Sequence, residues 1–516
     1  MTKTLITFIF IFAAFVYSQS NVQMQGAVGA VTIDGKIYNQ IALRPVIPIG
    51  KFGIALDIVL YMDEEGNIRD DDWDFSSPES GFNTLVDKIY YIRYGYPSDP
   101  LYARIGALDN VTLGYGILMS GYANTMEYPQ NKKVGLDFRL KRKRYSIQAM
   151  TNDFSELGGV MGVRTTIPLR LGFPLGISFV MDKNQYYSLD DSDGDGYPDQ
   201  LEGFPFDKDF WQDTDSDGIA DSDPLEYDLD GDGITDTLDS RFPGWTLDTV
   251  IVLDTDITHM EEPVNILKNH NSVAAIAFDG GIPIYKDDHF DVSFYAQIAQ
   301  LLGKTIDPET GGEKQLGLGI VPLGFVAKFG PAQLNIEYRK TPNGKFEFGY
   351  WNRAYELERS VFVLSNDKMT IQTKESRLGE FGPSNGLYGR LGLNLGSLLM
   401  VSVQYQSMTG DMWNPSLGDY EEIQYQNFFA ETGLKKSISK LKIAKLFLQQ
   451  RNVPNLFEFE PNASTVMGYR LGFEMGSGMV INYIFRKSFK DLNGDGDVTD
   501  SDEAINITAI ETTFAF

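Results

Sequence analysis

Three stretches of the chain repeat one frame, Asp-x-Asp-x-Asp-Gly-x-x-Asp. They are Asp191, Asp193, Asp195, Gly196 and Asp199; Asp213, Asp215, Asp217, Gly218 and Asp221; and Asp228, Asp230, Asp232, Gly233 and Asp236. Carboxylates on alternate residues of a tight loop repel one another unless a cation sits among them. A hard ion such as calcium takes roughly six to eight oxygens, and such a loop delivers them from its first, third and fifth positions. Glycine at the sixth position permits the sharp turn. The twelfth position, where a further carboxylate completes an EF-hand-like set, holds Glu202 in the first copy and Asp239 in the third. Pro224 stands there in the second, so that loop needs a ligand from a neighbour such as Asp223. A fourth loop, "DLNGDGDVTDSD", sets Asp491, Asn493, Asp495, Gly496, Val498 and Asp502 in EF-hand order.

The first three frames start 22 and 15 residues apart. This tandem arrangement resembles the thrombospondin type 3 calcium repeats found in bacterial outer-membrane proteins, over about residues 190–240. The resemblance implies a module with little hydrophobic core, held together by bound Ca2+. In porin-type relatives such repeats usually lead to a C-terminal peptidoglycan-binding domain. This chain ends in a strand instead, so no such anchoring is expected. The acidity is local: residues 190–240 hold 17 Asp, 2 Glu and one Lys, against a net charge of −27 for all 516 residues. A low-hydrophobicity acidic linker would carry similar charge, but would not repeat glycine at one offset.

These loops need a scaffold. Lys3 followed by the apolar run Leu5–Val16 and Val16-Tyr17-Ser18 reads as a secretory signal peptide over residues 1–18. No stretch is long and apolar enough for a membrane helix. Zero cysteines exclude disulfides and thiolate metal sites. Runs of about ten residues with alternating polarity recur, among them "KFGIALDIVLYM" from Lys51, "VGLDFRLK" from Val134, "FDVSFYAQIA" from Phe290, "AQLNIEYRK" from Ala332 and "MVINYIFRK" from Met479. Transmembrane strands need about that length when tilted. The last segment, "INITAIETTFAF", places Thr508, Ile510, Thr512, Phe514 and Phe516 on one face. It resembles the C-terminal strand of outer-membrane β-barrels, which implies recognition by the barrel-assembly machinery.

The expected fold is therefore all-β: a transmembrane antiparallel barrel of about 16–22 strands in the outer membrane of a Gram-negative-type bacterium. Residues 19–184 and 261–516 would form the barrel, and residues 185–260 the calcium-binding insertion. Barrel turns are short on the periplasmic side and long outside, which favours an extracellular insertion; the loop before the final strand would also lie outside. Val28, Gly159 and Leu316 lie in short or Gly-rich segments that could be plug or turn. Gly317 and Gly319 in "LGLGIVPLG" suggest crowding at a curved sheet or a plug contact rather than a phosphate site.

Two functions fit. One is a porin-like channel or transporter for a small solute, with polar residues such as Arg93, Arg104, Gln148 and Gln404 facing inward. The other is a non-conducting anchor whose calcium-dependent surface serves adhesion or docks an envelope or surface protein. Catalysis finds little support: the three histidines are His259, His270 and His289, and Asp287 and Asp288 beside His289 could suggest a general-base pair, but no serine nucleophile is indicated nearby. The one dense basic cluster, Lys141–Arg144, suits a turn touching lipid phosphates or a lipopolysaccharide contact. Lipid is the expected surrounding, and the acidic balance argues against nucleic acid.

Overall fold

Alternation of large apolar with small or polar residues makes extended segments with two different faces. In the strand Pro174–Asp182, Leu175, Ile177 and Phe179 are exposed whereas Gly176, Ser178, Val180 and Asp182 are buried. Phe290–Leu302 repeats the pattern: Phe294 and Ile298 lie outside, Tyr295, Gln297, Ala299 and Leu301 inside. A computed structural model describes residues 23–515 apart from several short stretches, among them 215–217, 229–233, 244–261 and 493–497. The segment 1–18 lies outside the described residues.

Twenty strands pair with their neighbours in chain order, all antiparallel, with Phe52–Leu56 and Ile58–Met62 acting as one strand interrupted at Asp57. The first strand, Gln23–Ile33, pairs with the last, Ala504–Ala515, from Gln25↔Ala515 to Val31↔Ala509. The sheet thus closes into a barrel, leaving no open edge. Val28 sits in this first strand, exposed on the outer face, and so belongs to the wall. Leu316 is buried in the main core and Gly159 sits in a turn.

A continuous exterior of exposed Leu, Ile, Val and Phe far exceeds the apolar patch a soluble monomer tolerates. Phe52, Tyr96, Tyr145, Tyr285, Phe290 and Phe329 are exposed in or beside short turns of one rim, the aromatic girdle of a membrane interface. No helix among the described residues is long and apolar enough to cross a membrane; the strands cross it. The protein is an outer-membrane-type β-barrel.

Strand lengths depart from the uniform ten residues expected. They fall to six in Ile89–Tyr94, Leu101–Gly106 and Ser146–Thr151, and reach 16 in Leu399–Asn414 and Asp419–Leu434. The short ones stand where the chain leaves the wall for the barrel interior, at the described residues of 107–134. A second long connection, 342–380, also turns inward. The two join through a short parallel contact: Gly349 N–H donates to Ile117 O at 2.9 Å, Trp351 N–H to Leu118 O at 3.0 Å, and Ser120 N–H to Trp351 O at 3.0 Å. Their Met119, Tyr122, Phe346, Trp351 and Tyr355 form the main core with inward-facing Val180, Ala277, Ala299, Val321 and Met408. The core of this barrel is a plug in its own lumen.

Counting along the chain, nine strands precede segment 183–272 and nineteen precede 490–503. Both numbers are odd, so both acidic segments rise from the rim opposite the chain termini. That rim carries the long connections; the other carries short turns such as 50–51, 142–145 and 330–331. Lys141–Arg144 accordingly lies at the short-turn rim.

Candidate functional site

Inside the lumen, charged side chains from distant parts of the chain lock the plug to the wall. Glu356, on the short helix Tyr355–Glu358, meets Lys133 Nζ at 2.5 Å and Arg359 Nη1 at 2.8 Å, and accepts the hydroxyl of Tyr122. Lys133 also reaches Glu156 at 2.8 Å, and Arg359 Nε lies 3.3 Å from Asp182 Oδ2. Asp182 in turn accepts Tyr355 OH at 2.7 Å. Glu358 pairs with Lys374. Burying ions in a low dielectric is tolerated only when each is matched, and here they are. Gly317 and Gly319 show why the wall admits the plug. A Cβ on Gly319 would lie 2.1 Å from the Phe346 ring, and one on Gly317 would lie 1.8 Å from Gly344 O.

Against the plug lies a cavity of about 190 Å³. Four arginines line it: Arg339, Arg353, Arg390 and Arg451, with Glu431 the one carboxylate of the lining. Arg339 stacks 3.8 Å from the Tyr388 ring and donates to Glu337 at 2.7 Å. Arg353 lies 3.3 Å from Glu431, and Arg451 pairs with Glu347. Nε of Arg353 and Nε of Arg451 are sealed without a hydrogen-bond partner, and the donor capacity open to a solute is that of Arg390, exposed on the strand Phe381–Leu395. Gln404 lines the same cavity. Arg93 and Arg104 are paired across neighbouring strands, and Gln148 is opposite Arg164, itself buried. A second cavity, of about 450 Å³, has Arg44, Arg470 and Arg486 in its lining; Arg44 is clamped between Asp57 at 2.8 Å and Glu511 at 2.9 Å.

On the long-loop rim, the first acidic frame forms the tight loop its spacing implies. Carboxylate oxygens of Asp191, Asp193 and Asp195 lie within 4.8 Å of one another. Asp191 accepts Gly194 N–H at 2.8 Å and Gly196 N–H at 3.0 Å. Asp199 turns back as a clasp, accepting the N–H and the hydroxyl of Ser192, both at 2.7 Å. The second frame repeats these bonds: Asp213 accepts Gly218 N–H at 3.0 Å, and Asp221 accepts the N–H and hydroxyl of Thr214 at 2.7 and 2.6 Å. Hydroxyl residues at the second position of both frames carried that signal in the sequence.

Glu202 gives the first frame its chemistry. Both its carboxylate oxygens, and Oδ2 of Asp193, are sealed without a hydrogen-bond partner. Burial, then the nearby Asp195, Asp193, Asp199 and Asp191, push its carboxyl up to about 8. The converging Asp191, Asp193 and Asp195 beside the unpartnered Glu202 carboxylate form a donor set that fits a hard divalent cation, with Asp199 engaged on Ser192. Near the second frame, Asp223 caps the short helix Pro224–Tyr227 by accepting Leu225 N–H at 2.9 Å. Asp228 opens the third frame among the described residues. Asp215, Asp217, Asp230, Asp232, Asp236, Asp239, Asn493, Asp495 and Asp502 lie outside them. Asp491 is buried, next to a residue the frame did not single out: Glu503, also buried, which accepts Leu492 N–H at 3.1 Å.

The histidines are dispersed. His270 Nδ1 lies 3.3 Å from the Asn184 amide, and His259 is outside the described residues. His289 sits in a turn whose Asp287 accepts its N–H at 2.8 Å and also accepts the N–H of Phe290.

No family model and no curated protein matches the chain. Solved structures do align. Outer membrane protein OprD from Pseudomonas aeruginosa covers 96% of this chain and 94% of its own at 7% identity, with a TM-score of 0.31. The siderophore receptor PirA from Acinetobacter baumannii covers 96% and 81% at 8% identity, with a TM-score of 0.34. CdiB from Acinetobacter baumannii covers 96% at 6% identity and a TM-score of 0.24; the chain spans 60% of its length. At such scores the barrel rests on its own strand pairing, and nothing about solute or partner follows from these likenesses.

Proposed function

We propose that the protein is an outer-membrane channel for small anionic solutes, carrying a calcium-binding module of thrombospondin type 3 character on its outer rim. The observation that carries the first part is the cavity beside the plug. In a chain of net charge −27 its lining holds four arginines; Glu337, Glu431 and Glu347 pair with Arg339, Arg353 and Arg451, which leaves the exposed Arg390 as the guanidinium in excess. Oriented guanidinium donors in a low-dielectric recess favour carboxylate or phosphate groups. Liposomes holding the purified protein test it, in calcium and again in chelator. Small dicarboxylates should enter faster than sugars or amines of equal size, and Arg353→Gln with Arg390→Gln should remove the preference. Equal entry of all three would contradict it.

The second part rests on the sealed, unpartnered carboxylate of Glu202 among the first-frame aspartates. Calorimetric titration should show calcium uptake at more than one site, and chelation should open residues 185–245 to protease while the barrel stays resistant. Calcium there would offset the carboxylate repulsion that otherwise opposes the folded loops. The anchor reading keeps one support, the exposed side chain of Phe206 in the insertion. A folded barrel that passes no solute in either condition would favour it.

A further inference from the structure

We propose that the acidic insertion is a calcium-operated latch on the lumenal plug, making passage through the barrel sensitive to external calcium. The inference rests on the calcium reading above and adds what that calcium does.

The joint lies in residues 182–189, between wall and insertion. On one side these residues hold the plug. The Asn184 carbonyl accepts Arg359 Nη2 at 2.8 Å, and the Gln185 carbonyl accepts the Ser360 hydroxyl at 2.9 Å. Gln185 Oε1 accepts Tyr350 OH at 3.0 Å and Glu375 N–H at 3.3 Å. On the other side the same short helix, Gln185–Ser188, runs within three residues into Asp191.

One further contact ties the first frame to the plug, and another ties the joint to the fourth loop. Gly196, the sixth residue of that frame, accepts Ile266 N–H through its carbonyl at 2.7 Å. Ile266 packs with Leu189 and with Phe362, which lies on the strand Ser360–Ser365 continuing from the plug. Asp190 pairs at 2.9 Å with Lys490, at the stem of the fourth acidic loop, and Lys490 also donates to Ser188 O at 3.3 Å. The stem of the fourth loop therefore holds residues 188–190, the same joint that leads from the plug contacts into the first frame.

Repulsion among the carboxylates of the first frame and Glu202 is relieved either by a cation or by opening the loop. Opening displaces Gly196 from Ile266 and loosens the cluster that grips Arg359 and Ser360. A ligand that binds only the closed arrangement shifts the equilibrium toward it, by about a hundredfold at a hundred times its dissociation constant. Calcium keeps the plug seated, and its loss frees one flank.

The full chain contains no cysteine, so Ser360→Cys introduces a single thiol at a fully buried position. A water-soluble thiol reagent should label it slowly in millimolar calcium and at least tenfold faster in chelator. Bilayer conductance of the unmodified protein should rise at least twofold in chelator. Asp193→Asn with Glu202→Gln removes the ligands together with much of the repulsion, so its conductance should be the same in calcium and in chelator. Ser416→Cys, in an exposed turn, should label fast in both. Hydrogen exchange over residues 360–377 of the unmodified chain reads the same release if the Ser360 variant folds poorly. Calcium uptake without any change in labelling, exchange and conductance would overturn the latch and leave the calcium site standing. No calcium uptake would remove both.

Discussion

Single residues carry the sharpest consequences. Glu202 is a carboxylate held away from water with nothing to accept from, and a bound cation is the partner its surroundings fit. Glu202→Gln keeps the shape and removes the charge, and calcium affinity at the first frame should fall at least tenfold, about 1.4 kcal/mol, by calorimetry. Arg359 is the corresponding case inside the lumen. It is fully buried between Asp182 and Glu356, and Arg359→Met leaves both carboxylates short of a counter-charge. Breaking one partner of a buried pair costs about 3–5 kcal/mol, read as early protease cleavage within residues 342–380 while the wall persists. Gly319→Leu should displace Phe346 and raise conductance without chelator. Much at this scale was legible: the alternate aspartates and the sixth-position glycine followed from residue type and spacing, and for Gly317 and Gly319 the plug contact was one of two readings, beside crowding at a curved sheet. The clasp of Asp199 on Ser192 was not read, because the ninth-position carboxylate alone reads as a ligand and the second-position hydroxyls of Ser192 and Thr214 mark its partner only when the two positions are read together.

At the scale of elements, strands were readable and the plug was not. "FDVSFYAQIAQLL" alternates along its length because one face meets lipid and the other the lumen. "KFGIALDIVLYM" reads as one strand, yet breaks at Asp57, which is drawn to Arg44 and Tyr128. The plug segment "KFEFGYWNRAYELERS" alternates only over its first six residues, with Phe346, Phe348 and Tyr350, and keeps no period after that. Its aromatic and charged side chains are buried on every side by wall and loop, so only tertiary structure explains them. This element also titrates. Burial raises Glu375, on the helix Lys374–Arg377, from 4.5 to about 7, with Asn271 opposing. A carboxyl raised in the folded state adds stability that is fully present below about 4.5 and lost as pH rises to about 7. At saturating calcium, intrinsic-rate-corrected hydrogen-exchange protection of residues 374–380 should grow as pH falls through that window, and Glu375→Gln should flatten the trend.

For the molecule as a whole, one arrangement accounts for the uneven charge. Acidic side chains crowd the long-loop rim, arginines and their carboxylate partners line the interior, and the exterior band is apolar. Closure of the barrel through its first and last strands sets both acidic segments on the same rim, and the inward loops bring the plug within reach of their bases. Passage of anions through the lumen is the central claim, and the reversal potential across a bilayer holding the purified protein under a tenfold potassium chloride gradient, with chelator present, tests it most directly. The arrangement predicts a potential of the sign set by chloride, collapsing toward zero in Arg353→Gln with Arg390→Gln. A potential of the sign set by potassium, or a folded barrel that carries no current, would contradict it.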